Sequence, residues 1–176
     1  ERGAADLLRH DKPTARRLFE TCLTFVRDSV RNRDSNAQRL ADPLLTIARQ
    51  CSSRPRDTVE IHAIQAELRM AQERPAEAIA AWQAILADPL LRGAPPPEAL
   101  GTDSAAPAGE WAKARIAETI QRNGQQVYTA FDKEAAEWLQ ASQKTGDRNM
   151  LEDLLHRYPN SRYVPAALLA IGEATV

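Results

Sequence analysis

Apolar residues recur along this chain at steps of three and four, the spacing of one face of an α-helix, and no stretch alternates as a strand would. The clearest run is Glu73 to Pro89, where Ala78, Ile79, Trp82, Ile85 and Leu86 form one stripe. Just upstream Ile61, Ile64, Leu68 and Ala71 form another, and Pro75 predicts the boundary between the two helices. Two helices joined by a tight turn bury one face each, so this pair predicts stacked neighbours on both sides, as in a helical repeat.

The same periodicity organises the rest. Gly3 to Arg9 reads as the end of a first helix and His10 to Pro13 as a turn. From Thr14 a long helix carries Ala15, Leu18, Phe19, Cys22, Phe25, Val26 and Val30 inward, before a turn near Asn32 to Ser35. Asn36 to Gln50 continues with Leu40, Leu44, Ile47 and Ala48. Asp42-Pro43 either starts that helix, Asp capping and Pro in the first turn, or kinks a longer one. Ser52 to Asp57 is a turn. Residues 1–89 thus form an N-terminal helical block.

Residues 90–109 hold Pro95, Pro96, Pro97 and Pro107 with Gly93, Gly101 and Gly109, a loop or linker that either covers a groove or separates two helical blocks. Residues 110–176 resume hairpins. Trp111, Ala112, Ile116 and Ile120 lead to a stop at Asn123-Gly124. Val127, Tyr128, Phe131, Ala135, Trp138 and Leu139 follow, up to Gly146-Asp147. Met150, Leu151, Leu154 and Leu155 run to Tyr158-Pro159. Ser161 is then the expected cap of a last helix with Val164, Leu168 and Ile171 inward. The fold class expected is all-α, antiparallel helical hairpins stacked as a short solenoid.

Composition narrows the functional classes. With 176 residues the chain can build a core without staples, and a formal net charge of -1 removes the basic field expected of a nucleic-acid binder. No run approaches the roughly 20 apolar residues of a membrane span. The chain opens on Glu1 in what reads as the middle of a helix, so a fragment of something longer is expected. Cys22 and Cys51 read as buried thiols; position 22 should face a residue near 45, about two turns from Cys51, so no bridge is expected.

No catalytic or metal-binding pattern emerges. His10, His62 and His156 lack ligand spacing, and there is no phosphate loop or nucleophile elbow. The acidic pair Glu134 and Glu137 falls on a solvent face, and the stripe positions of Trp82, Trp111 and Trp138 make them packing anchors. Arg16, Arg27 and Arg31 lie near one another on the outer side of their helix with Glu20 and Asp28 interleaved, a solvated face. The expected protein is no enzyme and has no cofactor.

The motif Ala78-Ile79, then Trp82, then Asp88-Pro89 resembles the second helix of a tetratricopeptide repeat. The preceding helix lacks the family's Trp, Leu-Gly and Tyr, which makes it a degenerate member. The resemblance implies a groove lined by Glu60, Ala63, Glu67 and Met70, suited to a basic or apolar segment of a protein or peptide partner. The junction Leu154 to Ser161 and the helix Ala166 to Ala174 resemble repeat junctions of bacterial envelope tetratricopeptide proteins. From about Ala76 to Ala174 the chain also resembles the helical region of large bacterial proteins bearing β-propeller repeats of the pyrroloquinoline-quinone type. These resemblances imply a protein-protein interaction scaffold, a fragment of a larger envelope protein, in a periplasmic or other extracytoplasmic setting. The alternative is a free cytosolic adaptor or regulator.

Overall fold

Most helix starts among the described residues are set by acidic caps or first-turn prolines. The computed structural model describes residues 11–98 and 106–173, and among these all regular structure is helical. The expected segments Gly3 to Arg9, His10, Thr102 to Ser104 and Ala174 lie outside them. Helix α1 (Lys12–Arg31) begins earlier than the pattern predicts, because Asp11 accepts from the Thr14 backbone N–H at 3.1 Å and Pro13 costs nothing in a first turn. The run after Asn36 is two helices: α2 (Ser35–Gln38), capped by Asp34, and α3 (Ala41–Cys51). Asp42 and Pro43 both sit in the first turn of α3, so of the two alternatives a start at this pair is the nearer, one residue early and without Asp42 as the cap, and there is no kink within one long helix.

Helices α4 (Pro55–Ala71) and α5 (Pro75–Ala87) form the expected hairpin, each with proline in its first turn, and Glu73 takes a positive φ of 58° between them. Asp88 caps the short α6 (Pro89–Arg92) by accepting from Leu90 N–H at 2.8 Å. Then come α7 (Ala108–Asn123), a 3₁₀ turn (Gln125–Tyr128), α8 (Thr129–Thr145), α9 (Arg148–Arg157) and α10 (Val164–Glu173). Gly146, left-handed at φ 69°, ends α8 and Asp147 caps α9.

Three apolar cores run along the described residues. In the first, α1 and α3 pack on α4 through Phe19, Cys22, Leu23, Val26, Leu45, Ala48, Ile61, Ile64 and Leu68. In the second, α4, α5 and α7 meet through Val59, Ala63, Ala66, Ile79, Trp82, Ile85, Trp111 and Ile116, with Tyr128 from the 3₁₀ turn. The third joins α8, α9 and α10 through Ala135, Leu139, Leu151, Leu154, Tyr158 and Ala167. Helix α4 thus feeds two cores from two faces, and Ala71, expected inward, is exposed at its end.

The described ends of the proline-rich segment belong to the second core. Leu91, Ala94 and Ala108 are buried there, and Ala108 N–H donates to the Ala94 carbonyl at 2.8 Å. A Cβ on Gly109 would stand 3.2 Å from the Arg92 carbonyl oxygen, so glycine here lets α7 start hard against α6. Gly172 of α10, by contrast, has open space around the place of a Cβ, so no close approach requires glycine there.

A short polar chain ties the third core to the second. Buried Gln83 of α5 donates through Nε2 to the Arg157 carbonyl, while its Oε1 accepts from the Tyr128 hydroxyl at 2.9 Å. Burial pushes the Tyr128 pKa well above the usual phenol range, which keeps that hydroxyl a donor. Asn160 Nδ2 also donates to the Lys113 carbonyl at 2.9 Å.

Several inward assignments are corrected. Phe25 and Leu40 are 41% and 56% exposed, and the buried neighbours are Leu23 and Ala41. Spacing alone allows either choice when both flanking positions are apolar. Leu168 is exposed and Ala167 is the buried residue of α10. Ser161 does not cap α10 directly: its hydroxyl donates to buried Asp132 at 2.7 Å and accepts from Tyr163 N–H at 3.2 Å. Asp132 also accepts from Arg162 N–H at 3.1 Å, and that grip holds 161–163 as a turn ahead of the helix.

Candidate functional site

A cleft of about 310 Å³ opens between α1 and α4, and helical spacing builds both its walls. Arg16, Glu20, Leu23 and Arg27 follow one another at steps of four, three and four on α1, which places them on one face. Arg56, Asp57 and Glu60 supply the first two turns of α4, and Glu98 closes the side from the proline-rich segment.

Most charges in this cleft are already answered. Asp57, buried, accepts from Arg16 Nη1 at 2.8 Å, Arg54 Nη2 at 2.9 Å and the Ser53 backbone N–H at 3.3 Å. Burial alone would raise its pKa, but these donors together outweigh it and hold the carboxyl below the usual range. Arg16 also bonds Glu20 at 2.7 Å. Arg56 pairs with Glu98 and keeps that carboxyl low as well, and the Glu98 backbone N–H donates to Glu60 Oε1 at 2.7 Å. Arg27 differs. Its Nε is buried with no hydrogen-bond partner, and its guanidinium forms no ion pair among the described residues.

Of the four groove positions expected from the sequence, Glu60 alone reaches this cleft. Ala63 is fully buried in the second core and Met70 packs against the same core. Glu67 is bound by Arg115 Nη2 of α7 at 2.6 Å, and the Arg115 guanidinium also stands 5.4 Å from the centre of the Trp82 ring. The stripe through Glu60, Ala63, Glu67 and Met70 therefore turns from the cleft into a packed interface as it climbs α4. The arginines of α1, read as a solvated face, separate likewise: Arg16 reaches across to α4, Arg27 lines the cleft and Arg31 is exposed.

Sequence reasoning missed Asp57, Arg56 and Glu98. For Asp57 a signal existed, an acid two residues after Pro55 in the first turn of a helix, where it reaches back to free N–H groups. Nothing local marks Glu98, which depends on how the segment folds back.

The other chemical candidates serve the fold. Trp82 is fully buried, Trp111 nearly so, and Trp138 lies edge-on to Tyr158 with ring centres 6.3 Å apart. Glu134 accepts from the Tyr158 hydroxyl at 2.7 Å, and burial and this carboxylate push the phenol pKa up to about 12. Cys22 and Cys51 are free thiols, Cys51 only half-buried, and burial raises both pKa values. Among the described residues no three His, Cys, Asp or Glu side chains are placed to hold a metal ion, and no helix is long and apolar enough to cross a membrane. No protein-family model, curated protein or solved structure matches this chain.

Proposed function

We propose that this chain is a non-catalytic, tetratricopeptide-like scaffold module that associates with another protein through the α1–α4 cleft. The observation that carries the reading is the contrast inside the cleft: its acids and two of its arginines are engaged in hydrogen bonds and ion pairs, while Arg27 has no acceptor among the described residues. Catalytic acid-base groups need an unengaged, enclosed member, and the buried carboxylates Asp57 and Asp132 are each held by several structural donors. The resemblances of the 76–174 region extend the proposal to a fragment of a larger, propeller-bearing envelope protein. An antibody raised against the chain, used to blot fractionated cells of its source, tests that extension. A band far above 19.5 kDa in the envelope fraction is expected. A small cytosolic band would overturn the envelope setting and leave a free adaptor.

A further inference from the structure

We infer that the α1–α4 cleft takes a segment of a partner protein through a carboxylate side chain, with the Arg27 guanidinium as its anchor. This rests on the protein-association reading above. Arg27 follows Glu20 by seven residues on the same face of α1, about 10 Å further along the axis, so it stands past the knot formed by Arg16, Glu20 and Asp57. A guanidinium nitrogen taken from water without an acceptor is a standing cost to the free protein. An incoming carboxylate cannot reach that enclosed Nε; it meets the two Nη groups, which are not enclosed and have no anionic partner among the described residues, and the planar guanidinium suits a carboxylate better than it suits a neutral amide.

The kind of ligand follows from the remaining charges. Glu20, Asp57, Glu60 and Glu98 outnumber Arg16, Arg27 and Arg56 along the walls, so the cleft has no net positive field to draw a small anion from solution. The carboxylate must be delivered by a segment that makes further contacts. A volume near 310 Å³ holds a side chain or two and no folded element. Thr24, exposed one turn before Arg27, adds a hydroxyl beside the guanidinium, and Leu23 contributes the apolar wall.

The test is selection from a random short-peptide display library against the whole chain and two variants, Arg27→Gln and Arg27→Glu. Arg27 has no hydrogen-bond or ion-pair partner among the described residues, so Arg27→Gln removes no internal contact and should unfold no lower than the parent, which separates binding from folding. Parent-selected peptides should share an Asp or Glu at one position, and Arg27→Gln should weaken them by about 10- to 100-fold. Arg27→Glu should select Lys or Arg at that same position. Sodium acetate, substituted mole for mole for sodium chloride so that ionic strength is unchanged, should not compete. Enriched peptides without a common acid, or an acidic peptide held equally by Arg27→Glu, would overturn the carboxylate assignment and leave protein association standing. No enrichment above background would overturn both.

Discussion

His62 gives this fold a weakness to acid whose size follows from its surroundings. It lies on α4 one turn before Gln65, which accepts from Arg49 Nη2 of α3 at 2.5 Å. Burial, with the positive charge of Arg49 as a second cause, lowers its pKa from 6.5 to about 4, and its Nδ1 is enclosed without a hydrogen-bond partner. The folded chain therefore keeps a neutral imidazole where the unfolded chain takes up a proton. Between pH 6.5 and about 4 the unfolded state binds more protons, so stability is full above this window and falls as pH drops through it. The gap between the two pKa values, at about 1.4 kcal/mol per pH unit, gives about 3 kcal/mol in all and about 2 kcal/mol by about pH 5. Urea unfolding followed by circular dichroism, at about pH 7.5 and about pH 5, should show the parent losing about 2 kcal/mol more than His62→Gln, which has nothing to titrate. Equal losses in the two proteins would refute the burial of a neutral His62.

Two further outcomes check the packing. Asp132→Ala leaves the Ser161 hydroxyl and Arg162 N–H without their acceptor; it should cost about 2–3 kcal/mol in urea unfolding and speed amide exchange in residues 161–163 first. Phe25→Ser and Leu168→Ser should each change stability by less than about 0.5 kcal/mol, whereas Leu23→Ala should cost about 2–5 kcal/mol in the same assay.

Helix existence was legible because most helices carry their own stop or start, as Pro75, Gly146 and Asp147 show. The stripe Ala78, Ile79, Trp82, Ile85 and Leu86 is buried throughout, since an apolar run flanked by alanines leaves little choice of face. Ambiguity enters where apolar residues stand one or two positions apart. At Leu23 with Phe25, and at Ala167 with Leu168, periodicity cannot say which is covered, and the neighbouring helix decides. The site is harder to read because α4 carries two buried stripes, and the pattern marks only the one through Ile61, Ile64 and Leu68. Ala63 and Met70 are core-facing because α5 packs there, a long-range fact with no local mark. The cleft itself depends on Arg16 meeting Asp57 across 41 positions, which no window on the sequence contains.

Helix α4, covered on two opposite sides, also constrains how such a sequence can drift. On α1 or α8 a substitution on the solvent face is judged by one neighbour at most, so change there accumulates singly. A change of volume at Ile64 presses on α1 and α3, and one at Ala63 presses on α5 and α7, with only a helix diameter between them. Tolerated replacements in α4 should then come as matched sets with residues on both sides, each contingent on the others. Divergent copies of this chain would share α4 in the sizes of its side chains long after their surfaces had lost any common pattern.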